Sequence, residues 1–289
     1  MLKGNAYAKI NLTLDVTGVL KNGYHSISSV MQTISLYDEI SVEKNQAAEI
    51  RLFSDGGAFA EGMPLGEKNT CHKAAEIFLE HIRSADGVDI HIAKNIPSQA
   101  GLGGGSSDAA TVLRLLNRLY EANLSYDELR KLAAKVGADV PFLVTGGCAL
   151  CKGMGEILTP TENGLTGYVL LKKPDFGIST PEAYRLFDEK KLPFGNSSEA
   201  VMNKLSNSES IYGLLSNDLE KAVANPEILE LKKEIVELGG SDSLMTGSGS
   251  CVYGLFDYKR VAEHVGRLIK EYPTIGVYEP VSSEVVTAS

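Results

Sequence analysis

The run Ile96-Pro97-Ser98-Gln99-Ala100-Gly101-Leu102-Gly103-Gly104-Gly105-Ser106-Ser107 puts four glycines in five positions ahead of two serines. Glycine has no Cβ, so such a loop reaches φ > 0 and lets backbone N–H groups approach an anion. Apolar residues then recur at helical spacing (Val112, Leu115, Leu116, Leu119), and a strand-like run, Val88-Asp89-Ile90-His91-Ile92, precedes the loop. That order puts the glycines at a helix N-terminus, where unpaired amides and the macrodipole favour phosphate. The plainer alternative is a surface loop before an ordinary helix. Three familiar motifs come close and fail. A P-loop needs Lys where Gly105 stands. A dinucleotide fingerprint needs glycine where Ser106 stands. Asp175-Phe176-Gly177 spells a protein-kinase metal motif, but no His-Arg-Asp precedes it.

Other residues can do chemistry too, each with a plainer reading beside it. Lys9 and Asn11 alternate with Ile10, Leu12, Leu14 and Val16, which makes them neighbours on the polar face of a strand. Taken alone, Lys9 reads as a solvated edge-strand lysine. Asp139, in Gly137-Ala138-Asp139-Val140-Pro141, reads as a helix N-cap. Tyr24 and Tyr184 read as packed tyrosines, and His25 as a surface imidazole. Cys148-Ala149-Leu150-Cys151 lies in an apparent strand, where residues i and i+3 face opposite ways; no second cysteine pair completes a zinc site.

The elements that must carry these residues alternate strand and helix along the whole chain, the pattern of a mixed α and β protein. Apolar strand spacing runs to Ile40, a helix is expected from Asn69 to Ile82, and Ser125 with Glu128 forms a capping box before a helix that Gly137 ends. Glycines and prolines between Gly153 and Gly167 mark the expected boundary, and the polar segment 192–210 reads as loop. With 289 residues, 43% of them apolar, the chain can bury a large core. A net charge of −9 without a basic block argues against nucleic acid as a partner. No apolar stretch approaches the ~20 residues of a membrane span, and strand character begins within the first ten residues. A cytoplasmic protein with no membrane partner is expected.

The pattern Pro97-x-x-x-Gly101-Leu102-Gly103-Gly104-Gly105-Ser106-Ser107 resembles the phosphate loop of the GHMP kinases, which phosphorylate small alcohols. Ala8-Lys9-Ile10-Asn11-Leu12 near the start and Met245-Thr246-Gly247-Ser248-Gly249-Ser250-Cys251 near the end follow in the family's order, so the resemblance covers almost the whole chain. It implies an α+β, two-domain fold. Residues 1–158 would form a ribosomal-S5-like domain with a left-handed βαβ crossover that binds ATP. Residues 159–289 would form a ferredoxin-like domain, with the substrate site in the cleft between the two.

The resemblance also implies roles. Pro97, Ala100, Gly101, Leu102, Gly103, Gly104, Gly105, Ser106 and Ser107 would hold ATP, with the serine hydroxyls offered to phosphate oxygens or Mg²⁺. Asn69 and Lys94 would lie toward the adenosine, and no metal ligand is assigned. Asp139 would face the acceptor hydroxyl with Lys9 beside it, and Asn11 would bond the substrate's hydroxyl groups. Gly23-Tyr24-His25, the segment Ile178–Tyr184 with Thr180, and Gly153-x-Gly155-Glu156-Ile157-Leu158 point to a branch whose alcohol carries a cytidine diphosphate group. There Tyr24 and Tyr184 would sandwich the cytosine and His25 would bond its polar edge. Some relatives extend the glycine run at Ala100 or carry Phe at Tyr184. A homoserine or mevalonate kinase remains an alternative, against which Gly105 and Gly23-Tyr24-His25 speak. A nucleotide sensor without turnover is another, against which Lys9 and Asp139 speak.

Overall fold

The N-terminal alternation resolves into two strands, β1 (Leu2–Asn11) and β2 (Thr13–Val19), in a computed structural model that describes residues 1–21 and 23–289. Both are antiparallel to the long β3 (His25–Asn45), which forms the spine of the first sheet. A register shift between Tyr7 and Lys9 reverses which side chains face which way. Ala6 packs under the helices, whereas Ala8 and Ile10 pack on the opposite face. A bulge of this kind re-aims a side chain. Here it sends Lys9 and Asn11 to the helix side, where both are buried rather than solvated.

The sheet continues with β4 (Ile50–Ser54), then α1 (Thr70–His81), then β5 (Gly87–Ala93), which is parallel to β4 and antiparallel to β3. The helices α2 (Gly104–Leu119), α3 (Tyr126–Val136) and α4 (Val140–Thr145) follow. Ser125 and Glu128 make the expected capping box on α3, and Gly137 ends that helix. The chain returns through β6 (Cys148–Gly153) and β7 (Ile157–Thr161), both still in the first sheet. Cys148 and Cys151 fall in different core clusters, on opposite faces of β6. Burial raises both thiols, that of Cys148 to about 12.

The second sheet begins at β8 (Tyr168–Lys172). The helices α5 (Thr180–Lys190) and α6 (Ser198–Ser206) come next, then β9 (Ser216–Asn217), α7 (Asp218–Val223) and α8 (Pro226–Glu237). The chain closes with β10 (Asp242–Met245), β11 (Val252–Phe256), α9 (Lys259–Leu268), β12 (Thr274–Tyr278) and α10 (Ser283–Ala288). The order β10-β11-β8-β12, antiparallel throughout, is the βαββαβ arrangement of a ferredoxin-like sheet. The expected loop at 192–210 instead contains α6, whose Val201, Met202 and Leu205 are buried. One apolar trio among serines and asparagines is too short a pattern to announce a helix.

Three packed interfaces follow. The helices α1 to α4 cover one face of the first sheet. Its other face meets the second sheet through Ile10, Leu12, Val30 and Ile34 against Val169, Leu171, Tyr253 and Leu255. The outer face of the second sheet carries α5, α7, α8 and α9. A buried lysine ties this last layer together: Lys172 Nζ donates to the carbonyls of Gly266 (2.9 Å), Ile269 and Tyr272 (2.9 Å) at the end of α9. Leaving one such buried group unpaired costs about 1–3 kcal/mol. Lys172→Met should therefore lower unfolding stability in urea by about 3 kcal/mol or more; a loss below about 1 kcal/mol would show that water replaces the ammonium.

Candidate active site

The glycine loop is built for backbone contact. Gly101 (φ +71°) and Gly103 (φ +70°) sit in the left-handed region. Gly103 is the N-cap of α2 and supplies no side-chain cap, so the first-turn amides are left for another acceptor. A Cβ on Gly103 would stand 3.0 Å from Lys9 Cγ, and one on Gly101 would overlap the Thr246 carbonyl oxygen. Pro97, Ala100 and Leu102 turn their side chains into the protein, and the Leu102 carbonyl accepts from Lys9 N at 3.0 Å. Gly104 backs onto Ile96 and the Lys94 ammonium, each 3.0 Å from a Cβ built there, while exposed Gly105 accepts from Thr70 Oγ1 at 2.7 Å.

Three expected nucleotide contacts have their polar atoms engaged elsewhere. Ser107 is buried and its hydroxyl donates to the Tyr7 carbonyl at 2.6 Å, so of the two serines Ser106 is the one left at the surface of the loop. Asn69 caps α1: its Oδ1 accepts from Cys71 N (2.9 Å) and its Nδ2 donates to the Pro64 carbonyl (2.7 Å). Lys94 Nζ is held between Asp38 and Asp108, 2.7 Å from the latter. Burial opposes the Lys94 charge, but Asp108 and Asp38 outweigh it and raise its pKa. Burial also lifts the Asp108 carboxyl well above the usual range, against the pull of Lys94. These residues brace the loop from below.

Lys9 and Asp139 come together across 130 positions of chain, Nζ to Oδ2 at 3.4 Å. Although Asp139 occupies the N-cap position of α4, its backbone is helical and its side chain makes no cap bond. The carboxylate is therefore available to the cleft, and it stays partly exposed while Lys9 is buried. Lys9 Nζ also donates to Asn11 Oδ1 at 2.6 Å, and Asn11 Nδ2 donates to Ser29 Oγ at 2.8 Å. The β6–β7 turn closes over this point: Gly155 (φ +123°) lies so near Ala138 that a Cβ would come within 2.7 Å of its carbonyl oxygen.

Two residues not singled out above fix the geometry. Thr246 Oγ1 accepts from Asn11 N (3.1 Å) and donates to the Gly101 carbonyl (3.1 Å), joining the lysine strand to the glycine loop. Arg114, buried in α2, donates to the carbonyls of Leu143 (3.2 Å) and Asn5 (3.2 Å), bracing α2, α4 and β1 at once. Burial lowers its pKa to about 10, which leaves it charged at neutral pH. An arginine inside the stripe Val112, Leu113, Leu115, Leu116 was the signal for it. Thr180 joins the same region, Oγ1 to Ser248 Oγ at 3.1 Å.

At the other end, His25 stacks on Tyr184, with centroids 4.7 Å apart and planes 19° from parallel. His25 thus occupies part of the Tyr184 face that the two-tyrosine sandwich assigned to a base. Tyr24, at 66% exposure, directly precedes His25 and β3.

A glycine loop on a helix N-terminus, facing a buried lysine paired with a half-buried aspartate across two packed sheets, defines a small-molecule kinase of the GHMP type. Residues 69–147 match the family described as GHMP kinases N terminal domain, and residues 196–273 match GHMP kinases C terminal. The chain belongs to the GHMP kinase family. The 4-diphosphocytidyl-2-C-methyl-D-erythritol kinase of Clostridium beijerinckii is 39% identical over 262 residues, covering 89% of this chain and 91% of its own. That of Clostridium tetani is 39% identical over 276 residues, covering 93% and 96%. A crystal structure of 4-(cytidine 5'-diphospho)-2C-methyl-D-erythritol kinase superposes with a TM-score of 0.78 at 31% identity, covering 96% of this chain and 99% of the other. A mevalonate kinase from L. major shares the fold, with a TM-score of 0.73 at 16% identity over 98% of this chain and 97% of its own.

Proposed function

We propose that this chain transfers the γ-phosphoryl group of ATP to the 2-hydroxyl of 4-diphosphocytidyl-2-C-methyl-D-erythritol, a step of non-mevalonate isoprenoid precursor synthesis. The Lys9–Asp139 pair between the glycine loop and the His25–Tyr184 stack carries the reading. Residues 1–158 hold ATP, residues 159–289 complete the substrate cleft, and the reaction runs in the cytoplasm.

The backbone amides at the start of α2 receive the phosphates. Phosphoryl transfer depends on position and charge neutralisation more than on strong base catalysis. Asp139 orients the acceptor hydroxyl and takes its proton late, while Lys9 pairs with Asp139 and offsets charge on the phosphoryl group. Asn11, held by Lys9 and Thr246, lies at the same face and bonds the substrate's other hydroxyl groups. A Mg²⁺ bound with the nucleotide would supply neutralisation of the phosphate charge, with the Ser106 hydroxyl as the side chain offered to it.

Incubation with ATP, Mg²⁺ and a panel of alcohols should release ADP with the cytidine diphosphate substrate and not with homoserine or mevalonate. ADP release with either of those two alone would replace the proposed substrate. Tyr184→Phe should keep substrate affinity because the stacking face remains, whereas Tyr184→Ala should weaken it by about 1–3 kcal/mol with ATP affinity unchanged. Equal substrate KM in wild type and Tyr184→Ala would remove Tyr184 from the site.

A further inference from the structure

We propose that Asp188 is a positioning residue that sets which base the site accepts, by fixing the proton of His25 on Nε2. This rests on the reading of His25 as the group that bonds the base edge. His25 Nε2 lies 2.8 Å from Asp188 Oδ1, and an ionised carboxylate only accepts. The neutral imidazole then carries its proton on Nε2 and presents a lone pair at Nδ1. Nδ1 fits a donor such as the exocyclic amine of cytosine, and it repels the O4 that uracil carries at the same place.

The ring is held so that its two nitrogens cannot exchange places. Tyr184 stacks on one face, Phe187 stands edge-on at 6.2 Å, and the side chain is only 9% exposed. Tyr184, Phe187 and Asp188 all come from α5, three and four residues apart, so one helix face grips the imidazole and sets its hydrogen bond. A base bonded edge-to-edge with Nδ1 lies in the imidazole plane, 19° from parallel to Tyr184, and so stacks with that ring as it is read. This arrangement replaces the symmetric sandwich by a histidine-aligned stack. Asp188 is 56% exposed, so its pairing with His25 adds little to stability; its effect lies in the tautomer.

Inhibition constants of CMP and UMP against the cytidine diphosphate substrate, together with ¹⁵N NMR of the imidazole, test this on the full chain. Wild type should favour CMP and show an unprotonated Nδ1. Asp188→Ala should narrow the CMP/UMP ratio about tenfold, with kcat and the KM for ATP unchanged. Asp188→Asn should restore the ratio only in part, because its amide can accept from Nε2–H or donate to an unprotonated Nε2. An unaltered ratio and imidazole spectrum in Asp188→Ala overturns the role of Asp188 while leaving the cytidine reading intact. Equal inhibition by CMP and UMP in wild type overturns the cytidine reading and this inference with it.

Discussion

Asp139→Asn should reduce turnover by about 10²–10⁴-fold while leaving ATP and substrate affinity nearly intact, as loss of a positioned acid–base group does. The amide is isosteric, so the α4 terminus and the Gly155 turn have no reason to move. Because Asp139 makes no cap bond, the helix loses no cap either. Stability should be unchanged in the same variant, which separates the catalytic role from the capping role that local sequence favours. Lys9→Ala should also slow the reaction, and the double variant should be less than additive because the pair acts as a unit. Full additivity of the two losses, or near-wild-type turnover in Asp139→Asn, would remove the pair from the mechanism.

Gly103→Val should be as damaging, by a different route. A β-branched residue at φ +70° is strained, and its Cβ would press on the Lys9 stem. If the loop must regain its shape to bind, strain of about 1–3 kcal/mol corresponds to roughly a 5- to 150-fold loss of ATP affinity. Displacement of Lys9 should then lower kcat as well, so both constants fall together. Titration of the folded variant with ATP reads the first effect. Unchanged affinity would show that the loop does not hold the phosphates.

The glycine loop was legible because its chemistry is local: glycines, a strand before and an apolar stripe after are all visible in one window. The helix starting near Asn69 and the capping box at Ser125 were legible for the same reason. The Lys9–Asp139 contact was legible only through the family resemblance, since it joins residues far apart in the chain and each had a sufficient local explanation. The bulge at Tyr7/Lys9 was hidden too, because an alternating pattern carries no mark of the one-residue slip that turns Lys9 inward. Lys94 and Asn69 carry a second role that the sequence did not show: neighbours in space, Asp38 and Pro64, hold their side-chain polar atoms. Arg114 left one mark, a charge inside an apolar stripe, whereas the bonds Thr246 makes run to backbone groups of distant residues that no local window displays.

The ³¹P NMR spectrum of the product formed from ATP and 4-diphosphocytidyl-2-C-methyl-D-erythritol tests the central claim most directly. One new phosphomonoester at the tertiary 2-hydroxyl, an intact diphosphate and one ADP per product are expected. ADP without that monoester, or a phosphoryl group on any other hydroxyl, would contradict the account.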